Sequence, residues 1–281
     1  MRRWIAILAA LMLAAVAAPA LAAPPLVASR GAAPPPTAPP PKTIFNDWAA
    51  IVVAGDWRAH SGGPTEAFDN ARRDVAATLT RMGFQPGNIT QFSTRPDRYP
   101  DTRPQRTHPR AMYDSLRASA ERAPAGCLFY YTSHGAPQGA AIDIEGQLQV
   151  IPPDLLAAIV NRACPGRPTI VVVSTCFSGV NLPALENAQR LILTAARRDR
   201  TSFGCSEDDK YPFFDDCFLQ SAETSGSLAV MPAAIVGCVS RREGAMGLQP
   251  ASEPQIWVGS GLRPMLPLMT FPKGAPVTGT H

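Results

Sequence analysis

Thr169-Ile170-Val171-Val172-Val173-Ser174-Thr175-Cys176 is the most strand-like run of the chain, and it ends in a thiol. A second run, Cys127-Leu128-Phe129-Tyr130-Tyr131-Thr132, stops at Ser133-His134-Gly135. A third, Trp48-Ala49-Ala50-Ile51-Val52-Val53-Ala54, stops at Gly55-Asp56. None of the three alternates apolar with polar residues, so each reads as a strand covered on both faces. Amphipathic stretches separate them. Phe68, Val75, Leu79 and Met82 share one helical face ahead of a stop at Gly83, and further helices are expected around Arg110–Arg122 and over Pro153–Ala163. Shorter strands are expected at Ile89–Phe92 and Arg190–Ala195, while Ala233–Val239 reads as either a strand or the start of a helix. Strands alternating with helices predict an α/β fold with a mostly parallel sheet and right-handed crossovers.

In such sheets ligands bind beyond the carboxyl ends of the strands. Adjacent parallel strands ending at His134 and Cys176 would bring an imidazole and a thiol to one rim. A free thiol is only a few per cent ionised at neutral pH, and a neighbouring imidazole can take its proton or stabilise the anion. The small residues Gly135 and Ser178-Gly179 leave room for a substrate backbone. The N–H groups of Gly135 and Cys176 are candidates to hold a developing oxyanion. Taken singly, a strand-end histidine is more often structural and a cysteine after a valine run more often a buried apolar group. The pair of contexts makes the chemical reading the stronger one.

The segments Tyr130-Tyr131-Thr132-Ser133-His134-Gly135 and Val173-Ser174-Thr175-Cys176-Phe177-Ser178-Gly179 resemble the His and Cys motifs of the legumain family of cysteine peptidases, family C13 of the caspase-like clan. Leu193–Ala196, Ser202–Cys205, Asp208-Asp209-Lys210 and Phe214-Asp215-Asp216 are similar to the stretch that follows the nucleophile strand in that family. The resemblance spans roughly residues 46 to 226. It implies a caspase-like three-layer sandwich, a Cys176 nucleophile that forms an acyl-enzyme, and a His134 that protonates the leaving amine. It implies no third orienting residue and no cofactor. Asp216 matches the acidic residue of the specificity pocket, Ser202 its edge strand, and Ser174 stands where the family has an acid two residues before the nucleophile. The Arg-His pair that the family places before the first helix has no counterpart near Thr65-Glu66, so Asn, Asp or a basic residue at P1 all stay open. Asp208-Asp209 and Asp215 read equally well as a solvated acidic loop.

Composition bounds the rest. The 281 residues carry 26 Lys and Arg against 22 Asp and Glu, a formal charge of +4 that falls to +2 without Arg2 and Arg3. So balanced a chain gives no electrostatic footprint for nucleic acid. Residues 1–22 have the basic start, apolar run and small-residue site of a signal peptide, which predicts an exported protein, periplasmic or secreted. The alternative is an uncleaved membrane tether, since Trp4–Ala22 is marginally long enough to span. Residues 23–42 form a Pro-rich linker, with eight prolines between residues 24 and 41. The peptidase domain is expected over residues 43–258, followed by an irregular Pro- and Gly-rich tail over 259–281.

Six cysteines in an exported chain invite disulfides. With Cys176 free, at least one other thiol must be unpaired. Cys127 with Cys164, and Cys205 with Cys217, are the pairings suggested by position. No Cys-x-x-Cys occurs, and His60, His108, His134 and His281 show no ligand spacing, which predicts no metal site. No phosphate-binding glycine motif follows a strand, which disfavours a nucleotide-binding sheet protein. The expected function is therefore an exported cysteine endopeptidase acting on peptide or protein substrates. A transpeptidase or ligase of the same family and a catalytically silent binding module are the alternatives.

Overall fold

The computed structural model describes residues 39–274. The expected signal peptide, nearly all of the expected Pro-rich linker and the last seven residues lie outside them. The strands are β1 (Trp48–Ala54), β2 (Ile89–Ser93), β3 (Gln105–Arg106), β4 (Gly126–Thr132), β5 (Gly135–Ala136), β6 (Gly139–Ile144), β7 (Gln147–Ile151), β8 (Thr169–Ser174), β9 (Arg190–Thr194) and β10 (Gln255–Val258). The α-helices are α1 (Ala67–Met82), α2 (Pro109–Arg122), α3 (Pro153–Ala163), α4 (Leu182–Leu185), α5 (Phe213–Ser225) and α6 (Met231–Ala245). Seven strands form one sheet in the order β10-β9-β8-β4-β1-β2-β3, with every pairing parallel except that of β10 with β9. Among the described residues no helix is long and apolar enough to cross a membrane.

Alternation along the strands divides the core into two halves. Ala50, Val52, Leu128, Tyr130, Ile170, Val172, Leu191 and Leu193 point to one side, where α1, α5 and α6 cover them with Leu79, Phe218 and Ile235. Ala49, Ile51, Val53, Phe129, Tyr131, Val171, Val173 and Ile192 point to the other, against Met112 and Leu116 of α2, Leu156 and Val160 of α3, and Leu185 of α4. β1, β4 and β8 are buried at every position, which explains their unbroken apolar runs. The result is the expected three-layer sandwich. Strand order reverses between β1 and β4, so the topological switch point, where ligands gather in open α/β sheets, lies beside the carboxyl ends of β1, β4 and β8.

Three features were not anticipated. Residues 135–151 form a separate antiparallel sheet, β5-β6-β7, whose β6–β7 turn puts Glu145 at φ 53° and Gly146 at φ 87°. Two successive positive φ values are what a tight two-residue hairpin turn requires. The Phe214-Asp215-Asp216 stretch is the first turn of α5, where carboxylates suit the helix dipole, and not a solvated loop. Residues 259–274 are irregular apart from a 3-10 segment at Arg263–Leu268, yet Leu262, Met269 and Phe271 are buried in the α1-α5-α6 half of the core. The ambiguous Ala233–Val239 is helical, within α6.

Cys127 and Cys164 form the expected disulfide, which ties the start of β4 to the end of α3. The Cys205–Cys217 pairing is corrected: α5 carries Cys217 against α6, where it bonds Cys238. Cys205 and Cys176 are free. The disulfides close segments with sequence separations of 37 and 21. By the loop-entropy relation each contributes about 3–4 kcal/mol.

Asp215 joins the two central strands to α5. Fully buried, its carboxylate accepts hydrogen bonds from the Tyr130 hydroxyl, from Thr132 Oγ1 at 2.8 Å and from Ser174 Oγ at 2.8 Å. Burial raises its pKa to about 6, although the three hydroxyl bonds act to lower it. The folded carboxyl thus holds its proton to higher pH than the unfolded one. The stability this confers is fully present below the unfolded pKa of 3.8 and is lost as pH rises through about 6.

Two outcomes follow for this architecture. Alkylation in denaturant without reductant should modify Cys176 and Cys205 only, and all six cysteines after reduction; mass mapping that finds Cys217 or Cys238 modified in the first step contradicts the pairing. Between pH of about 4 and about 7.5, the unfolding free energy of the natural chain should fall relative to Asp215→Asn by on the order of 3 kcal/mol in urea titrations. Parallel pH curves for the two proteins would show that Asp215 is not the titrating group.

Candidate active site

Pairing of β4 with β8 runs in register to Thr132 opposite Ser174, and the Ser133 N–H continues it by donating to the Ser174 carbonyl at 3.1 Å. The chains leaving the two strands are therefore still side by side when they reach His134 and Cys176. Contact is close at the next residue. A Cβ built on Gly135 would lie 2.1 Å from the Cys176 carbonyl oxygen and 2.8 Å from Thr175 Cβ, a space that only glycine fits. Among the described residues the Cys176 amide donates to no backbone carbonyl, so it remains available beside Gly135.

After Cys176 the chain turns sharply. Phe177 takes the left-handed conformation at φ 55°, uncommon for a residue with a side chain, and its N–H donates to the Arg200 carbonyl at 2.7 Å. The Ala196 N–H donates to Ser178 Oγ at 2.9 Å, and the Gly179 N–H to the Ala196 carbonyl at the same distance. These bonds fix the turn after Cys176 to the segment that follows β9. Gly179 has to be small, because a Cβ there would meet the Arg198 nitrogen at 2.6 Å.

The Cys176 side chain lies beneath Ser202. The Ser202 N–H donates to Sγ at 3.3 Å, and the Ser202 carbonyl and hydroxyl oxygens are both 3.6 Å from the sulfur. Ser202, chosen from the sequence as an edge residue of the substrate site, thus borders the Cys176 thiol. Ser174 lies under the same rim, its hydroxyl committed to Asp215. Asp216, the acidic residue singled out from the sequence, points elsewhere: its carboxylate pairs with Arg242 of α6. The carboxylate beneath the strand ends is that of its neighbour Asp215, since a one-residue step around α5 turns the side chain from the sheet toward α6.

The His134 ring is held by the loop after β1. His134 Nε2 lies 2.8 Å from the Arg58 carbonyl oxygen, which can only accept, so Nε2 carries a hydrogen and the neutral ring keeps its lone pair on Nδ1. Arg58 is itself anchored, its guanidinium pairing with the buried Asp56 at 2.9 Å and with the buried Asp143 of β6 at 2.5 Å. The Trp57 indole N–H donates to Asp143 at 3.2 Å. Phe68 of α1 packs edge-on against the His134 ring with centroids 5.1 Å apart. In the free chain His134 and Cys176 share no hydrogen bond, one facing the Arg58 carbonyl and the other Ser202, as the caspase-like resemblance allows.

Arg58, Asp56 and Asp143 escaped the sequence reading. The strand-end rule applied to β1 as well as to β4 and β8 would have pointed to the first two, and the alternation Ile142-Asp143-Ile144 before Glu145-Gly146 would have signalled the hairpin that carries the third. The expectation that the histidines stay apart is also overturned. The same β1 loop brings His60 to His134, with ring centroids 5.5 Å apart, and a ligand atom from each of His60, His134 and Cys205 lies within 4.8 Å of the others. Sequence spacing could not show this, because the three residues come from the ends of three different strands. Burial pushes the Cys205 thiol up to about 12, with the nearby Cys176 sulfur adding to the shift.

Comparison with known proteins agrees with this geometry. No curated protein matches the chain. Among solved structures it is similar to the caspase-1 crystal structure from Spodoptera frugiperda, with a TM-score of 0.53 and 15% identity over 79% of this chain and 90% of that one, a likeness of fold. Residues 121–227, which include His134, Gly135, Ser174, Cys176, Ser202, Asp215 and Asp216, match the Peptidase C13 family. The chain thus carries a segment similar to the Peptidase C13 family on a caspase-like fold.

Proposed function

We propose that the protein is an exported endopeptidase that hydrolyses peptide bonds through Cys176 and His134. The observation that carries this reading is the nesting of Gly135 against the Cys176 carbonyl at the paired ends of β4 and β8. It supports a site in which an imidazole, a thiol and two backbone N–H groups act on one carbonyl. Cys176 Sγ attacks the scissile carbonyl carbon, and the carbonyl oxygen takes up negative charge against the N–H groups of Gly135 and Cys176. His134 holds the thiol proton on Nδ1 and delivers it to the leaving amine as the C–N bond breaks. Water then gives a proton to the same nitrogen and attacks the thioester, which releases the acid and restores the thiol.

The Nε2–H bond to the Arg58 carbonyl supports the role of His134, because it keeps Nδ1 as the working nitrogen. Asp56 and Asp143 are positioning residues that act through Arg58. On the specificity side, Asp216 is neutralised by Arg242 and Asp215 is saturated by three hydroxyls. With neither Asp215 nor Asp216 free to pair with a cation, a neutral hydrogen-bonding P1 residue such as Asn is favoured over Lys or Arg. Export is supported by the leader-like residues 1–22 and by the two disulfides, which persist in oxidising compartments.

A positional-scanning peptide library should show cleavage with Asn preferred at P1, and Cys176→Ala should abolish both turnover and covalent labelling by a thiol-directed peptide probe. His134→Ala should lower kcat by at least about 100-fold, the range typical of lost acid–base catalysis. Labelling of Cys176→Ala equal to that of the natural chain would contradict the assignment.

A further inference from the structure

Two side chains with no part in the hydrolysis described above, His60 and Cys205, gather against His134 of the proposed dyad. His60 from the β1 loop, His134 from the end of β4 and Cys205 from the segment between β9 and α5 place one nitrogen or sulfur atom each within 4.8 Å of the others. His60 Nδ1 and Cys205 Sγ are 4.0 Å apart. Two imidazoles and a thiol are the donor set favoured by zinc and similar borderline cations, and three protein ligands with a fourth position left to water is a common zinc arrangement. Tetrahedral zinc with bonds of about 2.0–2.3 Å holds its ligand atoms roughly 3.3–3.7 Å apart, so the three groups need to draw in by about 1 Å. The exposed His60 ring is free to make that movement.

The surrounding backbone already holds the ligands in place. The His60 N–H donates to the Cys205 carbonyl at 3.3 Å, and Thr65 Oγ1 donates to the Ser206 carbonyl at 2.9 Å, so the two loops meet at the cluster. The Arg58 carbonyl takes the Nε2–H of His134, which leaves the Nδ1 lone pair for a cation. A histidine ligand whose other nitrogen donates to a backbone carbonyl is the usual outer-shell arrangement around bound metal.

We propose that His60, His134 and Cys205 are the ligands of a site for a zinc-type divalent cation, and that its occupation takes His134 out of the chemistry at Cys176. Binding forms the metal–sulfur bond as the Cys205 thiol proton leaves to solvent, and the Nδ1 lone pair of His134 is committed to the metal. The second half of the proposal rests on the peptidase reading; the first does not. The cation would then act as a reversible inhibitor, one that needs two residues, His60 and Cys205, dispensable for hydrolysis itself.

The test uses the full chain freed of metal by chelation and titrated with Zn2+ against a chromophoric chelator. One equivalent per chain should bind, Cys205→Ser and His60→Ala should each weaken binding more than about tenfold, and Cys176→Ala should bind as the natural chain does. Loaded with Co2+, the natural chain and Cys176→Ala should both show a thiolate-to-cobalt charge-transfer band that Cys205→Ser lacks. Unchanged affinity in both Cys205→Ser and His60→Ala, or a band that disappears with Cys176, overturns the site. Zinc should inhibit peptide cleavage by the natural chain at concentrations that leave Cys205→Ser active, and equal inhibition of both overturns the regulatory half. A chain that binds zinc through Cys205 but cleaves no peptide would keep the site and remove the peptidase reading instead.

Discussion

The parallel pairing of β4 with β8 is the constraint on which the rest of the molecule depends. Its hydrogen-bond ladder keeps Thr132 opposite Ser174, and one further bond from Ser133 carries that register beyond the sheet. A parallel ladder sends both chains out of the same edge, so an imidazole and a thiol that lie 42 positions apart in sequence emerge as neighbours. Burial protects the register. Every residue of both strands is inaccessible, and a one-residue slip would send Leu128, Tyr130, Ile170 and Val172 to the wrong face.

Polar groups reinforce this apolar frame from both sides. Below the rim, Asp215 gathers hydroxyls from β4 and β8 onto α5, and the low dielectric that raises its pKa also makes an unpaired hydroxyl there costly. Above the rim, Asp56 and Asp143 hold Arg58, whose carbonyl orients His134. The ring is therefore directed from the β1 loop and the β5-β6-β7 hairpin, while the thiol is directed from the turn at Phe177. Neither side chain depends on the other for its position, which is why the free chain keeps them apart without losing the shape of the cleft.

Much of this was legible in the sequence where burial alone decides structure. The unbroken runs of β1, β4 and β8, the α3 span and the Cys127–Cys164 bond followed from pattern and position. Side chains that owe their place to tertiary contacts were harder. Asp215 and Asp216 are equivalent acids in the sequence, and only the winding of α5 turns one to the sheet and the other to Arg242. Cys217 chose Cys238 over Cys205 because two helices pack, a contact with no local signature. His60 and Cys205 lie 145 positions apart, and their meeting depends on loops at the ends of β1 and β9 that carry no periodicity.

The central claim is that His134, Gly135 and Cys176 converge on one reacting carbon. A crystal structure of the chain inactivated with a peptide aldehyde tests it most directly. The account predicts a bond from Cys176 Sγ to the aldehyde carbon, with the resulting oxygen about 3 Å from the N–H groups of Gly135 and Cys176 and His134 Nδ1 facing the adduct. An aldehyde bonded to Cys205, or an adduct oxygen directed away from both N–H groups, would contradict it.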